Sequence, residues 1–408
     1  MWNQLRIAQP YLLAACVFAI PMSVSLKSIL LPLCIIVNLL TVKHWRIIFD
    51  TFKNPVVISA LLLLGWCLLS SLWAPANWPE TKAVVSKMLK LLSLPLFAIG
   101  FLHKTTRAYA QIAFLIAMTV TALISLAMAL SGNIFMGGAD AGTVFNDRIM
   151  TGLFVSMGAW LAAHLAMQAD DSKKWWFWAV FVICTAQVVF ANTGRTGYVV
   201  YALLAICFSL MHLSFRQTVL FLIAFSLLTF AAYRLSPTLA KNVDTTIDNV
   251  VNFQQVANSS SIGYRVGFHQ FAKKLFVQHP IFGTGAGSFS WYYNKLQPMP
   301  FYSSRLFEPH SQYWLILVEQ GLVGMLLLLA WMASLIWLMV KVKQSRAMLL
   351  FTFVAISASN FSDSMLLYSA TGYLLMVVSA MALGEYIERC FSESPVNKPI
   401  SLQPWHAI

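Results

Sequence analysis

His310 follows Pro309 at the head of an apolar stretch, and a neutral imidazole there can take a proton from a hydroxyl group. Three arginines accompany it. Arg195 lies in Asn192-Thr193-Gly194-Arg195-Thr196-Gly197, Arg148 closes Asn146-Asp147-Arg148, and Arg265 ends Ser261-Ile262-Gly263-Tyr264-Arg265. Arginine keeps its charge at any working pH and binds phosphate through parallel N–H donors. Lys87 and Lys90 stand one helical turn apart at the start of an apolar run, so a helix puts them on one face. Cations at membrane depth are costly and are usually paired or functional. Together these three arginines and two lysines suit an anion held at headgroup level, such as a lipid-linked diphosphate, and could replace the metal that diphosphate enzymes often use.

Plainer readings stand beside each of these. Lys87 and Lys90 could snorkel to headgroups, and Arg148 could pair with Asp147. Asp363, in Asn360-Phe361-Ser362-Asp363-Ser364, either meets one of the cations or caps a helix. Glu308 or Glu319 could orient His310, a choice that spacing alone leaves open. His269 and His279 flank the apolar residues Phe268, Phe271, Leu275 and Phe276, and read as packing or solvent-facing groups. The acids Glu80, Asp140, Asp147, Asp244 and Asp248 are scattered, without a paired-carboxylate pattern, so no metal site and no cofactor is expected. No GxxxxGK[ST] run is present either.

The elements that position these residues are set by composition. Of 408 residues, 59% are hydrophobic and 10% charged, far below the roughly 25% charge of soluble domains. Continuous apolar runs approach the roughly 20 residues that cross a bilayer as helix, and their lack of alternation speaks against a barrel. The expected fold is an all-α polytopic membrane protein with about twelve spans, near 11–24, 27–41, 56–74, 84–102, 110–130, 149–168, 175–192, 198–213, 218–234, 321–340, 348–363 and 368–386. Residues 1–234 then hold nine spans and 235–320 a large, mostly helical loop. Residues 321–388 hold three more spans, and 389–408 form a polar tail.

The charge is +13. It is spread over connecting segments, which points to topology and anionic lipid headgroups and not to nucleic acid. Lys43, Arg46 and Lys53, Lys104 and Arg107, Lys173 and Lys174, and Lys341, Lys343 and Arg346 fall on one side. The opposing short loops carry only Lys27, Lys82, Arg148 and Arg195. By the positive-inside rule both termini are cytoplasmic and 235–320 lies outside. The first apolar stretch lacks a clear cleavage site, so no signal peptide is expected. Five of the six cysteines, Cys16, Cys34, Cys67, Cys184 and Cys207, sit in apolar runs and Cys390 in the tail, so no disulfide framework is expected.

Four motifs in order carry a resemblance. They are Ser261–Arg265, then His279-Pro280-Ile281-Phe282-Gly283-Thr284-Gly285-Ala286-Gly287-Ser288-Phe289, then Pro309-His310-Ser311-Gln312-Tyr313-Trp314-Leu315, then Glu319-Gln320-Gly321-Leu322-Val323-Gly324. With the spans and the late external loop, they resemble the O-antigen ligase and polymerase superfamily across nearly the whole chain. Ser311 departs from the asparagine many members carry there. The resemblance implies a metal-independent, inverting glycosyltransferase of the bacterial inner membrane, its site facing the periplasm, acting in lipopolysaccharide biosynthesis. Its partners would be an undecaprenyl-diphosphate-linked glycan as donor, a lipid A-core sugar as acceptor, and membrane lipids. It also implies that Arg265, Arg195 and Arg148 bind the donor diphosphate, that Lys87 or Lys90 assists, and that His310 is the base or positioning group for the acceptor. Rival readings are the O-antigen polymerase and the protein O-oligosaccharyltransferase of the same superfamily and, from another class, a secondary transporter. Against the transporter, the polar segment is late in the chain and the cations avoid the midplane.

Overall fold

Backbone in hydrocarbon must satisfy its own hydrogen bonds, and a continuous apolar run does so as helix. The computed structural model describes residues 2–42, 45–134, 140–256, 258–302 and 304–393, and it is all-α, with no strand among them. The helices run α1 (Trp2–Met22), α2 (Val24–Thr41), α3 (Trp45–Phe52), α4 (Pro55–Ser70), α5 (Trp78–Met88), α6 (Ser93–Ala98), α7 (Lys104–Ser131), α8 (Arg148–Ala166) and α9 (Asp171–Phe190). They continue with α10 (Arg195–His212), α11 (Phe215–Leu235), α12 (Pro237–Val251), α13 (Phe253–Val256), α14 (Ser261–Gln278), α15 (Ser288–Leu296), α16 (Gln312–Lys341), α17 (Arg346–Ser359) and α18 (Ser369–Glu393). A 3₁₀ turn over Leu89–Leu92 joins α5 to α6.

Each expected span falls on one helix except 84–102, which is broken into the end of α5, two 3₁₀ turns and α6; nine helical runs among the described residues are long and apolar enough to cross a membrane. α4 and α17 are apolar but shorter, and α9 opens on Asp171, Lys173 and Lys174. The expected external loop holds α12 to α15. Most of the expected tail lies outside the described residues. All six cysteines are free, and four of them are buried.

Burial orders the bundle. The apolar windows of α8 and α18 are 83% and 89% buried inside the protein, whereas that of α11 is 6% buried and faces outward. α1 packs on α2 and α7, α8 on α9 and α10, α16 on α4, and α18 on α6 and α17. α8 therefore brings Arg148 to the end of an inner helix, and α18 is preceded by the turn that carries Asp363.

α16 carries the device that shapes the site. It is kinked at Gly321 (φ 66°, ψ −163°), a conformation only glycine adopts readily. The kink detaches two backbone N–H groups from the helix ladder. Leu322 N donates to Pro280 O at 2.9 Å and Val323 N to Ile281 O at 3.2 Å. Return bonds run from Thr284 N to Val318 O and from Gly285 N to Glu319 O, both 2.8 Å. The His279–Phe289 and Glu319–Gly324 motifs are thus two halves of one clasp. A Cβ on Gly285, itself at φ +95°, would stand 2.5 Å from Ala74 Cα. Gly285→Ala is expected to lower stability by about 1–3 kcal/mol from its backbone conformation alone, and further through the clash. Gly65→Ala in α4, where nothing lies within 4 Å, is expected to be neutral or stabilising. Thermal unfolding of both variants in detergent checks this; equal melting would refute the clasp.

Candidate active site

His310 lies just outside the helix that the apolar stretch forms. α16 starts at Gln312, capped by Ser311, and His310 sits just before it in the left-handed region at φ 51°. A non-glycine residue there is strained and persists only where its surroundings hold it. Gln312 N donates to Asn360 O at 2.9 Å and Ser311 Oγ to the same carbonyl at 3.2 Å. Asn360 Oδ1 accepts from Met365 N at 3.0 Å. These bonds pin the Asn360–Tyr368 turn against the histidine.

The result is a cluster that spacing could not reveal. His310 Nδ1 donates to Asp363 Oδ1 at 2.8 Å and lies 3.4 Å from Glu308 Oε1. Arg265 Nη2, from the first turns of α14, reaches Asp363 Oδ2 at 3.3 Å. Tyr368 donates its hydroxyl to Glu308 Oε1 at 3.0 Å, and Ser364 donates to the same carboxylate. Asp363 is 2% exposed, whereas the side chains of Arg265 and His310 are 28% and 30% exposed, so the guanidinium and the imidazole face outward from a buried acid. Phe268 stacks on the His310 ring with centroids 5.7 Å apart, and Tyr302 closes on Phe268 at 5.0 Å. With its proton on Nδ1, His310 keeps Nε2 as an acceptor.

Burial is the strongest influence on His310 and disfavours its charged form. The hydrogen bond to Asp363 and the charges of Glu308 and Asp363 outweigh it, against a smaller push from Arg265, and hold the group above the ordinary histidine value. The same carboxylates, added to burial, push the Tyr368 phenol well above its usual range, so it stays a donor. His269 is held below the ordinary value chiefly by burial, and its Nε2 lies 3.3 Å from the His310 carbonyl oxygen. It supports the backbone of the strained residue.

The other predicted residues divide. Arg195 feels the charges of Arg148 and Arg265, so the three arginines are grouped. The turn before Arg195 is locked by Asn192, which donates to Gly194 O at 2.9 Å and accepts from Gly194 N at 3.1 Å. A Cβ on Gly194 would lie 2.3 Å from the Arg148 carbonyl oxygen, so glycine lets the two arginine-bearing turns touch. Asp147 caps α8 through Ile149 N at 2.8 Å and Met150 N at 3.0 Å. Its carboxylate is thus engaged by backbone, and among the described residues it forms no ion pair with Arg148. Lys87 is exposed and Lys90 buried. Lys90 Nζ donates to Leu366 O at 2.9 Å, Leu367 O at 3.1 Å and Tyr368 O at 3.0 Å, which spends its three protons on the turn that carries Asp363. Glu319 is buried in the clasp, where its carboxylate accepts from Phe289 N at 3.4 Å; Glu308 and Asp363 are the acids beside His310.

Glu308, His310 and Asp363 each offer one atom to a group spanning at most 4.8 Å, a spacing within which a divalent ion could be held. Both carboxylates are already engaged, Asp363 by Arg265 and Glu308 by Tyr368 and Ser364, and Arg265 places positive charge on Asp363. The arrangement as it stands is a histidine oriented by a buried carboxylate beside a group of arginines. It can accept a proton at one atom and stabilise anionic charge next to it.

No curated protein matches the chain. Residues 179–329, which span α10 to α15 and include Arg195, Arg265 and His310, match the family model described as O-antigen ligase.

Proposed function

We propose that this protein is an O-antigen ligase, moving a glycan from undecaprenyl diphosphate to a sugar hydroxyl of lipid A-core at the periplasmic face of the inner membrane. The observation that carries the reading is the contact of His310 Nδ1 with Asp363 Oδ1 at 2.8 Å, with Arg265 on the other oxygen of that carboxylate. The acceptor hydroxyl attacks the anomeric carbon from the face opposite the diphosphate. Its proton passes to His310 Nε2, the new C–O bond forms, and the bond to the diphosphate oxygen breaks. Charge grows on that oxygen, and Arg265, Arg195 and Arg148 stabilise it, with Lys87 alongside. The geometry of Lys90 favours a positioning role, holding the Asp363 turn. The donor bond supplies the driving force, so neither nucleotide nor metal is required.

Transfer in vitro is the test. Purified protein, undecaprenyl-diphosphate-linked glycan and lipid A-core are combined in detergent with EDTA, and lipid A is followed by gel shift. Glycan on lipid A despite the chelator is the expected result. Glycan that only lengthens on its own lipid would make the protein a polymerase. Activity restored only by added metal would reassign Glu308, His310 and Asp363 as ligands.

A further inference from the structure

A cleft of about 400 Å³ opens beside the site, between the start of α2, α5 and the start of α18. Tyr368, which bonds Glu308, forms one wall, and Asn146, two residues before Arg148, lines another. Three lysines line it: Lys27, Lys87 and Lys90. Lys90 is satisfied by carbonyls. Lys27 is not. It is 2% exposed, its ammonium opens onto the cleft, and no protein group among the described residues bonds or pairs with that ammonium. It also sits in the first turn of α2, which holds no acid, at the positive end of the helix dipole. Lys27 thus combines burial, two lysine neighbours and an adverse dipole. A buried charge without compensation is strongly destabilising, and a cationic cleft at a helix N-terminus is a site for an anion.

We propose that Lys27, with Lys87, forms a phosphate subsite that takes a phosphoryl group of a membrane lipid beside the catalytic cluster. Lys27 sets the affinity there, and Lys87, exposed at the mouth, guides the anion in. This deepens the reading above, since a lipid-linked donor and an anionic phospholipid both carry such a group at this depth.

The test uses the full-length protein in detergent with two probes, undecaprenyl diphosphate and phosphatidylglycerol. Lys27→Met keeps the unbranched apolar stem and removes the charge. It is expected to weaken phosphate-lipid binding by about tenfold or more, in line with the loss of one charge-assisted bond, while Lys27→Arg retains binding. Without ligand, Lys27→Met is expected to melt higher than wild type, because an uncompensated charge has gone; a structural lysine would give the opposite. Loss confined to undecaprenyl diphosphate assigns the subsite to the donor. Loss of both probes assigns it to a lipid headgroup, and either result upholds a phosphate subsite. Unchanged binding of both probes, or a lower melting point for both Lys27 variants, would overturn it. A wild-type protein that binds through Lys27 but transfers no glycan would refute the ligase reading alone.

Discussion

His310→Ala is expected to lower glycan transfer by about 10²–10⁴-fold, the usual contribution of a positioned general base, in a protein that folds and binds its donor lipid. The ring is held by Asp363 at 2.8 Å and stacked on Phe268, so its loss removes the proton acceptor and leaves the surrounding turn bonded through Ser311 and Gln312. His269→Ala serves as the control. That residue touches the backbone of His310 and not its ring nitrogens, so most of the activity is expected to remain. The pH profile adds a sign. A base works in its neutral form, and the neighbouring carboxylates hold His310 above the ordinary histidine value. Transfer is therefore expected to rise with pH through that raised value and to fall away in acid. Asp363→Asn removes a raising influence, so the acid limb is expected to move to lower pH while the maximal rate drops. Full transfer by His310→Ala, or an acid limb that ignores Asp363→Asn, would end the assignment.

The second large effect is expected at Arg265. Losing one preorganised donor to a developing oxyanion costs about 10²–10³-fold in rate elsewhere. Arg265→Ala is expected to reach at least that range, because the guanidinium also holds Asp363 at 3.3 Å. The two contributions separate in a double-mutant cycle. If Arg265 acts only by holding Asp363, the Arg265→Ala, Asp363→Asn double variant transfers no more slowly than Asp363→Asn alone. If it also stabilises the departing diphosphate, the double variant is slower still. The second result is expected, since the side chain is 28% exposed and grouped with Arg195 and Arg148. Arg265→Lys keeps the charge without the planar fork and is expected to recover part of the rate. Wild-type transfer by Arg265→Ala would remove it from the site.

Local chemistry made much of this legible in the sequence. Unbroken apolar runs have one way to satisfy their backbone in lipid, and each one expected to span is helical, with only 84–102 broken by 3₁₀ turns. Among the described residues nine helical runs reach the length and hydropathy of a span, while α4 and α17 are apolar but shorter and α9 opens on charged residues. Arg265 and His310 were readable because glycine, proline and histidine types at fixed spacing are uncommon in an apolar chain. The partners of His310 were not. Glu308, two residues away, and Glu319, nine residues away, were equal candidates by spacing, and the kink at Gly321 sends Glu319 into the clasp. Asp363 is 53 residues from His310, and only the packing of the Asn360–Tyr368 turn on the start of α16 brings them together. The lysines make the same point. One turn of helix puts Lys87 and Lys90 on one face, yet the 3₁₀ turn and three facing carbonyls bury one and leave the other exposed. The sequence by itself determined the helices and the charges available at their ends, because hydrophobicity and glycine conformation act locally. Which acid orients the histidine, and which lysine stays free for a ligand, depends on contacts between distant segments, and only the tertiary structure decided those.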